Sequence, residues 1–251
     1  MTEGNRRKVA VVTGASSGIG RATAAAFISQ GYATALLDCN EAAGRKVQAR
    51  LNAGGECIFI PCDVVDDAQV GQAIDQTVAT FGRLDVAFNG AGIDGAKGMM
   101  TGDAMVENWH RVIAVNLTGV WQCMRHQLRA MLASGGGAIV NCSSIAGMVG
   151  APALAAYVAA KHGVLGLTKS AALEYARQGV RINAVCPGII DTPMTRLSST
   201  PEELAGTIEY IPTGRMGTPE EIAAAAVWLC GDGASYITGQ ALAIDGAWTS
   251  R

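Results

Sequence analysis

The chain has 251 residues, of which 49% are hydrophobic and 16% charged, and its formal net charge is −2 at pH 7. That is enough apolar material for the core of one large α/β domain and too much for a disordered chain. The charge offers no general attraction to nucleic acid or an anionic membrane, and no run approaches the roughly 20 apolar residues that span a bilayer.

The compact basic cluster RRK at 6–8 leads into an apolar run too short for a secretory signal. Seven cysteines, at 39, 57, 62, 123, 142, 186 and 230, are scattered and form no CxxC pair. They read as small hydrophobes in a reducing compartment, so a soluble, cytoplasmic protein without a disulfide framework is expected. His110, His126 and His162 show no metal-ligand spacing, and no metal is expected.

Strands are predicted at 8–13, 33–38, 56–61, 84–88, 137–143, 180–186 and 241–245, with helices at 18–30, 41–53, 67–81, 108–133, 153–178 and 219–230. Gly31 and Gly179 sit where helix C-caps belong, and Pro219 follows the cap Thr218. The alternation of apolar strands with helices predicts a single α/β domain over 1–251: a Rossmann-type, doubly wound fold with a seven-stranded parallel sheet and helices on both faces. Two stretches escape the pattern, 93–108 and 187–217. Both follow the carboxyl ends of strands, where open α/β sheets bind ligands, so both are candidate substrate loops.

The first strand runs into VVTGASSGIGRA (11–22), with glycines at 14, 18 and 20. Such a turn lets the backbone approach a pyrophosphate and points helix N-terminal N–H groups at it. Asp38 ends the second strand, 18 residues beyond Gly20. An acid there can bond the ribose hydroxyls of NAD and repel the 2′-phosphate of NADP; alternatively it caps the next helix, a task Asn40 can perform by itself. Cys39 stands where an NADP site would favour a basic residue, so NAD is the expected cofactor.

In AAYVAAKHG (155–163) the alanines favour helix, which puts Tyr157 and Lys161 on one face. Alone, the pair reads as a surface contact or a snorkelling lysine. Hydride transfer between a secondary alcohol and nicotinamide needs a group to take or give the hydroxyl proton. Bringing a phenol from a pKa near 10 to about 7 requires about 4 kcal/mol, which an ammonium at about 4 Å supplies at an effective dielectric near 20. Ser144, 13 residues before Tyr157, can donate to the substrate oxygen. Asn116, in an apolar helical run, reads by itself equally as a satisfied core amide.

Taken together along the chain, these residues resemble the short-chain dehydrogenase/reductase family. TGASSGIG looks like its cofactor turn, CDV at 62–64 like its adenine-side motif, NGAG at 89–92 like its NNAG, and PGII with Thr192 like its nicotinamide-side segment. The resemblance implies a catalytic tetrad of Asn116, Ser144, Tyr157 and Lys161, with Ser144 preferred over Ser143 by its spacing to the tyrosine. It implies cofactor contacts from Gly14, Ser16, Ser17, Gly18, Ile19, Gly20, Asp38, Asp63, Val64, Asn89, Ala91, Gly92, Tyr157, Lys161, Pro187, Gly188, Ile190 and Thr192. Asp63 would bond the adenine amino group, although an Asp at a strand end is also an ordinary turn residue. Lys161 would bond the nicotinamide ribose, and the Asn116 carbonyl would help hold a water between Lys161 and solvent. Gly90 departs from the family's second asparagine, which puts one side-chain contact near the cofactor in question.

Met99, Met100, Met105, Met148, Met194 and Met216 fall in or beside the two loops. They point to a small-molecule alcohol or ketone that is apolar or cyclic, or else simply pack the loops. Helices 108–133 and 153–178 carry more apolar surface than one sheet face can bury, which predicts a subunit interface; the resemblance implies a homotetramer. The expected activity is an NAD-dependent alcohol dehydrogenase or ketone reductase. An NADPH-dependent 3-oxoacyl reductase is the enzymatic alternative, opposed by Asp38, and a non-catalytic NAD-sensing protein is the alternative of another class.

Overall fold

A computed structural model describes residues 7–250; Arg6 of the basic cluster and the two ends of the expected 1–251 domain lie outside the described residues. Five consecutive buried residues, Val9–Thr13, form β1, and their side chains alternate between two apolar layers. Val9 and Val11 pack with Leu37, Ile74, Met124 and Ile139. Ala10 and Val12 pack with Phe27, Leu36, Phe88 and Ile222. A strand buried on both faces belongs inside a parallel sheet covered on each side by helices.

The remaining strands are β2 (Ala33–Asp38), β3 (Cys57–Pro61), β4 (Val86–Asn89), β5 (Gly137–Cys142), β6 (Val180–Pro187) and β7 (Ala241–Ile244). They complete one seven-stranded parallel sheet in the order β3-β2-β1-β4-β5-β6-β7. The order reverses between β1 and β4, and a crevice opens beyond the carboxyl ends of these two strands. The helices are α1 (Gly18–Ser29), α2 (Glu41–Leu51), α3 (Asp67–Phe81), α4 (Val106–Ile113), α5 (Gly119–Ala133), α6 (Ala155–Tyr175), α7 (Pro193–Leu197), α8 (Pro201–Glu209) and α9 (Pro219–Cys230). Residues of α1, α2 and α9 enter the layer with Phe27 and Phe88, and residues of α3, α5 and α6 the layer with Ile139. The doubly wound architecture expected from the sequence is therefore present. Among the described residues no helix is long and apolar enough to cross a membrane.

Three departures bear on function. The helix expected over 108–133 is divided by a π-helical segment, Ala114–Thr118, with the buried Asn116 at its centre. The helix expected from 153 begins at Ala155, because Ala153 takes a left-handed backbone with φ of +60°. The loop 187–217 contains α7 and α8, each opened by a threonine cap and a proline in its first turn.

A closed amide network locks the sheet beneath the crevice. Asn89 donates to Gln127 Oε1 at 3.0 Å and to Asn141 Oδ1 at 2.9 Å, Gln127 donates back to Asn89 Oδ1 at 2.8 Å, and Asn141 donates to Thr168 Oγ1 at 3.0 Å. All four residues are buried. Gln127→Leu leaves the Asn89 oxygen without its donor and should destabilise the protein by about 1–3 kcal/mol. Urea unfolding should show a lower midpoint with an unchanged slope.

Candidate active site

The first strand–helix turn has the geometry of an anion cradle. Gly14 and Gly18 have φ of +68° and +48°, where a side chain would be strained, and a Cβ on Gly20 would collide with the Gly14 carbonyl oxygen. Ser17 is exposed at the N-cap of α1, its hydroxyl makes no cap bond, and Ile19 packs against the core behind it. Asp38 ties this turn to the sheet. Its Oδ2 accepts from Ser16 N at 3.0 Å and its Oδ1 from Asn40 N at 2.8 Å, while Asn40 itself caps α2 by accepting from Ala43 N at 3.1 Å. The helix-capping task thus belongs to Asn40. Asp38 remains partly exposed at the end of β2, and each carboxylate oxygen keeps a second acceptor site.

The other motifs surround the crevice. Asp63 is exposed and accepts from Val65 N at 3.0 Å, so its turn role is present whatever it bonds in addition. Val64 is buried against Gly119, where a Cβ would come within 2.8 Å of it. At the end of β4, the Asn89 side chain turns inward into the amide network, leaving only its main chain at the crevice. The Ala91 N–H donates to Thr13 Oγ1 at 3.2 Å. At the end of β6, Pro187 pairs with Ile244, Gly188 presses against Asp245 of the adjoining segment, and the Ile190 side chain is buried. Thr192 caps α7, and its Cγ2 lies 3.3 Å from the Cβ position of Gly18, so the turns after β1 and β6 meet face to face. The positive-φ turn, the bare helix N-terminus and an acid at the end of β2 together fit a nicotinamide dinucleotide.

The four candidate catalytic residues converge beside this crevice. Two neighbouring serines part company at the end of β5. Ser143 is buried and donates to the Lys161 carbonyl at 2.9 Å. Ser144 accepts from Ala146 N at 3.1 Å, and its hydroxyl is close enough to the Tyr157 phenol to favour the ionised form. Lys161 is buried, donates to the Cys142 carbonyl at 2.9 Å and stands 5.5 Å from the centroid of the Tyr157 ring. Asn116 holds both polar groups of Ile93: Oδ1 accepts from its N–H at 2.8 Å and Nδ2 donates to its carbonyl at 2.8 Å. A Cβ on Gly92 would sit 3.2 Å from Asn116 Oδ1 and 3.7 Å from Lys161 Nζ, so the absent side chain leaves room between them.

With the chain's own groups alone, the phenol is not drawn toward neutrality as the arithmetic on Lys161 suggested. Burial pushes Tyr157 well above its ordinary range, the Ser144 hydrogen bond pulls it back, and the charges of Asp94 and Cys142 push it further up. Burial likewise draws the Lys161 ammonium below its usual value, against Cys142, Asp94 and Cys186. Desolvation penalises both charged forms and outweighs the pair's mutual effect here.

Tyr157 opens onto a narrow cavity lined also by Asp94, Met99, Asn108, Ala153 and Ala156. Met100, Met105, Met148 and Met194 are exposed around it in the flanking segments. A larger cavity, about 710 Å³, lies between α1 and α9 and includes none of these residues.

The family model described as Enoyl-(Acyl carrier protein) reductase matches residues 14–249. The chain is 45% identical over 245 residues to a cyclohexanol dehydrogenase of Acinetobacter sp. (strain SE19), covering 97% of this chain and 96% of that protein. It is 43% identical over 251 residues to the cis-4-hydroxycyclohexanecarboxylate dehydrogenase of Sinomonas cyclohexanicum, with 100% of both chains covered. A solved variant of actinorhodin polyketide ketoreductase with NADPH superimposes with a TM-score of 0.92 at 35% identity, over 98% of each chain. The chain belongs to the short-chain dehydrogenase/reductase family. It is an oxidoreductase acting on CH–OH groups with a nicotinamide dinucleotide.

For this short-chain dehydrogenase/reductase the sequence did not single out Asp94, Asn108 or Ala153, which the fold sets beside Tyr157. Only Ala153 has a local peculiarity, its left-handed backbone, and alanine does not announce one. The two serines should separate experimentally. Ser144→Ala removes the hydroxyl that lowers the phenol and should reduce turnover by about 100-fold. Ser143→Ala removes a hydrogen bond to the Lys161 carbonyl and should act on stability, by about 1 kcal/mol. Steady-state rates and urea unfolding of both variants check the division.

Proposed function

We propose that this single-domain enzyme is an NAD-dependent dehydrogenase of apolar ring secondary alcohols, able to reduce the corresponding ketones. The observation that carries the reading is the placing of Tyr157 close to the Ser144 hydroxyl and on the wall of a narrow cavity shared with Met99, Leu154 and alanines. The names of the relatives, both ring-alcohol dehydrogenases, support the same substrate class.

The substrate oxygen would lie between the Ser144 hydroxyl and the Tyr157 phenol, with Ser144 donating and Tyr157 taking the hydroxyl proton. Lys161, held by Cys142, would set the field at the phenol and bond the ribose next to the nicotinamide. The space beside Gly92, bounded by Asn116 Oδ1 and Lys161 Nζ, suits a water that passes the proton on. When bound, nicotinamide supplies the hydride acceptor. Gly14, Ser16, Ser17, Gly18, Ile19 and Gly20 would cradle the pyrophosphate, Asp63 and Val64 would flank the adenine, and the main chain of Asn89, Ala91 and Gly92 would line the ribose side. Pro187, Gly188, Ile190 and Thr192 would form the nicotinamide wall.

Asp38 supports NAD over NADP, because its carboxylate stands where a 2′-phosphate would be repelled and Cys39 offers no compensating cation. Trp121, Leu132 and Leu173 are exposed on α5 and α6, which supports assembly through these helices into a homotetramer. The seven free thiols, six of them buried, suit a cytoplasmic enzyme.

Tyr157→Phe should abolish NAD⁺ reduction by cyclohexanol while NADH binding, followed by fluorescence, stays near that of the wild type. Because oxidation needs the ionised phenol and burial raises its pKa, kcat/KM for oxidation should climb with pH, and for ketone reduction it should fall. A flat oxidation profile in a rate-limiting chemical step would refute Tyr157 as the base. Asp38→Ala should raise KM for NAD⁺ and narrow the preference over NADP⁺ by at least about tenfold, read from kcat/KM ratios. Wild-type protein that uses NADPH more efficiently than NADH would overturn the cofactor assignment.

A further inference from the structure

Asp94 is the one carboxylate among the residues lining the narrow cavity beside the candidate base Tyr157, where its neighbours are Asn108, Met99, Leu154 and alanines. Its position is fixed from both sides. The preceding residue, Ile93, is clasped through N–H and C=O by Asn116 at 2.8 Å each. The Lys97 ammonium stands 2.6 Å from Asp94 Oδ2 and also donates to Ser198 Oγ at 2.9 Å, at the end of α7. Lys97 thus joins the loop after β4 to the loop after β6 and holds the carboxylate still. Its nearest approach is to Oδ2, and Oδ1 accepts no hydrogen bond from the described residues, so the carboxylate keeps acceptor capacity beside the cavity. Asn108, the other amide or acid there, already accepts from Ala96 N at 2.7 Å.

The charge works against the chemistry next to it. Asp94 is among the groups that push the Tyr157 phenol up, and Lys97 is the cation beside it. A wall that met only hydrocarbon would do better with an apolar side chain, because the carboxylate oxygen not paired with Lys97 would lose hydration against such a substrate without gaining a second partner. A hydroxyl donor on the substrate removes that conflict: it gives the carboxylate a charge-assisted hydrogen bond and draws its charge away from the phenol.

We infer that Asp94 is a specificity-determining residue that accepts a hydrogen bond from a second hydroxyl of the substrate, so that the site selects ring diols over ring mono-alcohols. The inference rests on the dehydrogenase reading above and narrows its substrate class. The second hydroxyl is held at Asp94 while the reacting one lies at Ser144 and Tyr157. The apolar side chains of Met99, Ala153 and Ala156 contact the ring between them.

The test is NAD⁺ reduction by 1,3-cyclohexanediol, 1,4-cyclohexanediol and cyclohexanol with wild type, Asp94→Ala and Asp94→Asn. In the wild type at least one diol should exceed cyclohexanol in kcat/KM by more than the twofold that two hydroxyls give statistically. Asp94→Ala should lower that diol-to-monool ratio by about ten- to a hundred-fold, chiefly through KM of the diol. Asp94→Asn keeps a neutral acceptor and should lower the ratio less. NADH fluorescence titration of each variant reports whether the cofactor site is intact. A ratio unchanged in Asp94→Ala, with NADH binding retained, overturns the assignment, as does an equal fall for diol and mono-alcohol. Wild-type protein that oxidises cyclohexanol without any diol preference overturns this inference alone. Wild-type protein that oxidises none of the three overturns the dehydrogenase reading as well.

Discussion

A buried ammonium must have its protons met, and Lys161 imposes that demand on everything around it. Its Nζ reaches the Cys142 carbonyl at the last residue of β5, and its own carbonyl is held by Ser143, the residue that follows. Two hydrogen bonds across this one junction fix α6 to the end of the central sheet. Tyr157, one helical turn earlier, is therefore held near Ser144 by the anchoring of its neighbour together with its own packing against Val112, Ala156 and Ala160. The π-helical segment at 114–118 fits the same requirement. It places Asn116 so that its amide clasps Ile93 and its oxygen borders the space beside Lys161. π-bulges recur at functional sites because one residue leaves the helical ladder without ending the helix.

The electrostatics of this cluster are a balance among unfavourable states. Burial disfavours the phenolate and the ammonium alike, so the pair gains little by ionising together unless other charges intervene. Asp94 acts on both, supporting the charge of Lys161 while opposing that of Tyr157. Asp94 thereby offsets part of the burial cost of the Lys161 ammonium and adds to that of the Tyr157 phenolate.

Much of this was legible in the sequence because it rests on short-range signals. Seven apolar runs separated by helical periodicities specify the sheet, and glycines at 14, 18 and 20 specify the turn, since their backbone angles and contacts exclude side chains. The spacing of Ser144, Tyr157 and Lys161 specifies one end of α6. Illegible were features set by contacts distant in sequence. The inward turn of Asn89 depends on Gln127 and Asn141, which belong to other elements. The division of 108–133 depends on Ile93, and apolar periodicity runs through a π-helical segment without marking it. Helices α7 and α8 were written locally, in Thr192-Pro193 and in the capping box of Thr200 with Glu203, and the abundance of turn residues around them concealed both.

Gly90 shows how a departure from a family pattern can be absorbed. A Cβ at this position would lie 2.5 Å from Phe88 Cε1 and 3.1 Å from the Thr13 carbonyl oxygen. Phe88 is fully buried against the layer that carries α1 and α9, so its ring cannot yield cheaply. The ring therefore takes the volume that a longer residue at 90 would need, and the two positions have to be read together. Order in this turn comes instead from Thr13, whose hydroxyl oxygen accepts from Gly90 N at 3.1 Å and from Ala91 N at 3.2 Å. One side chain of β1 thus holds the end of β4 at the very place where the strand order reverses. The crevice keeps its shape through the neighbouring strand, and the Gly14 turn packs directly on this backbone, since a Cβ on Gly14 would sit 2.9 Å from Gly90.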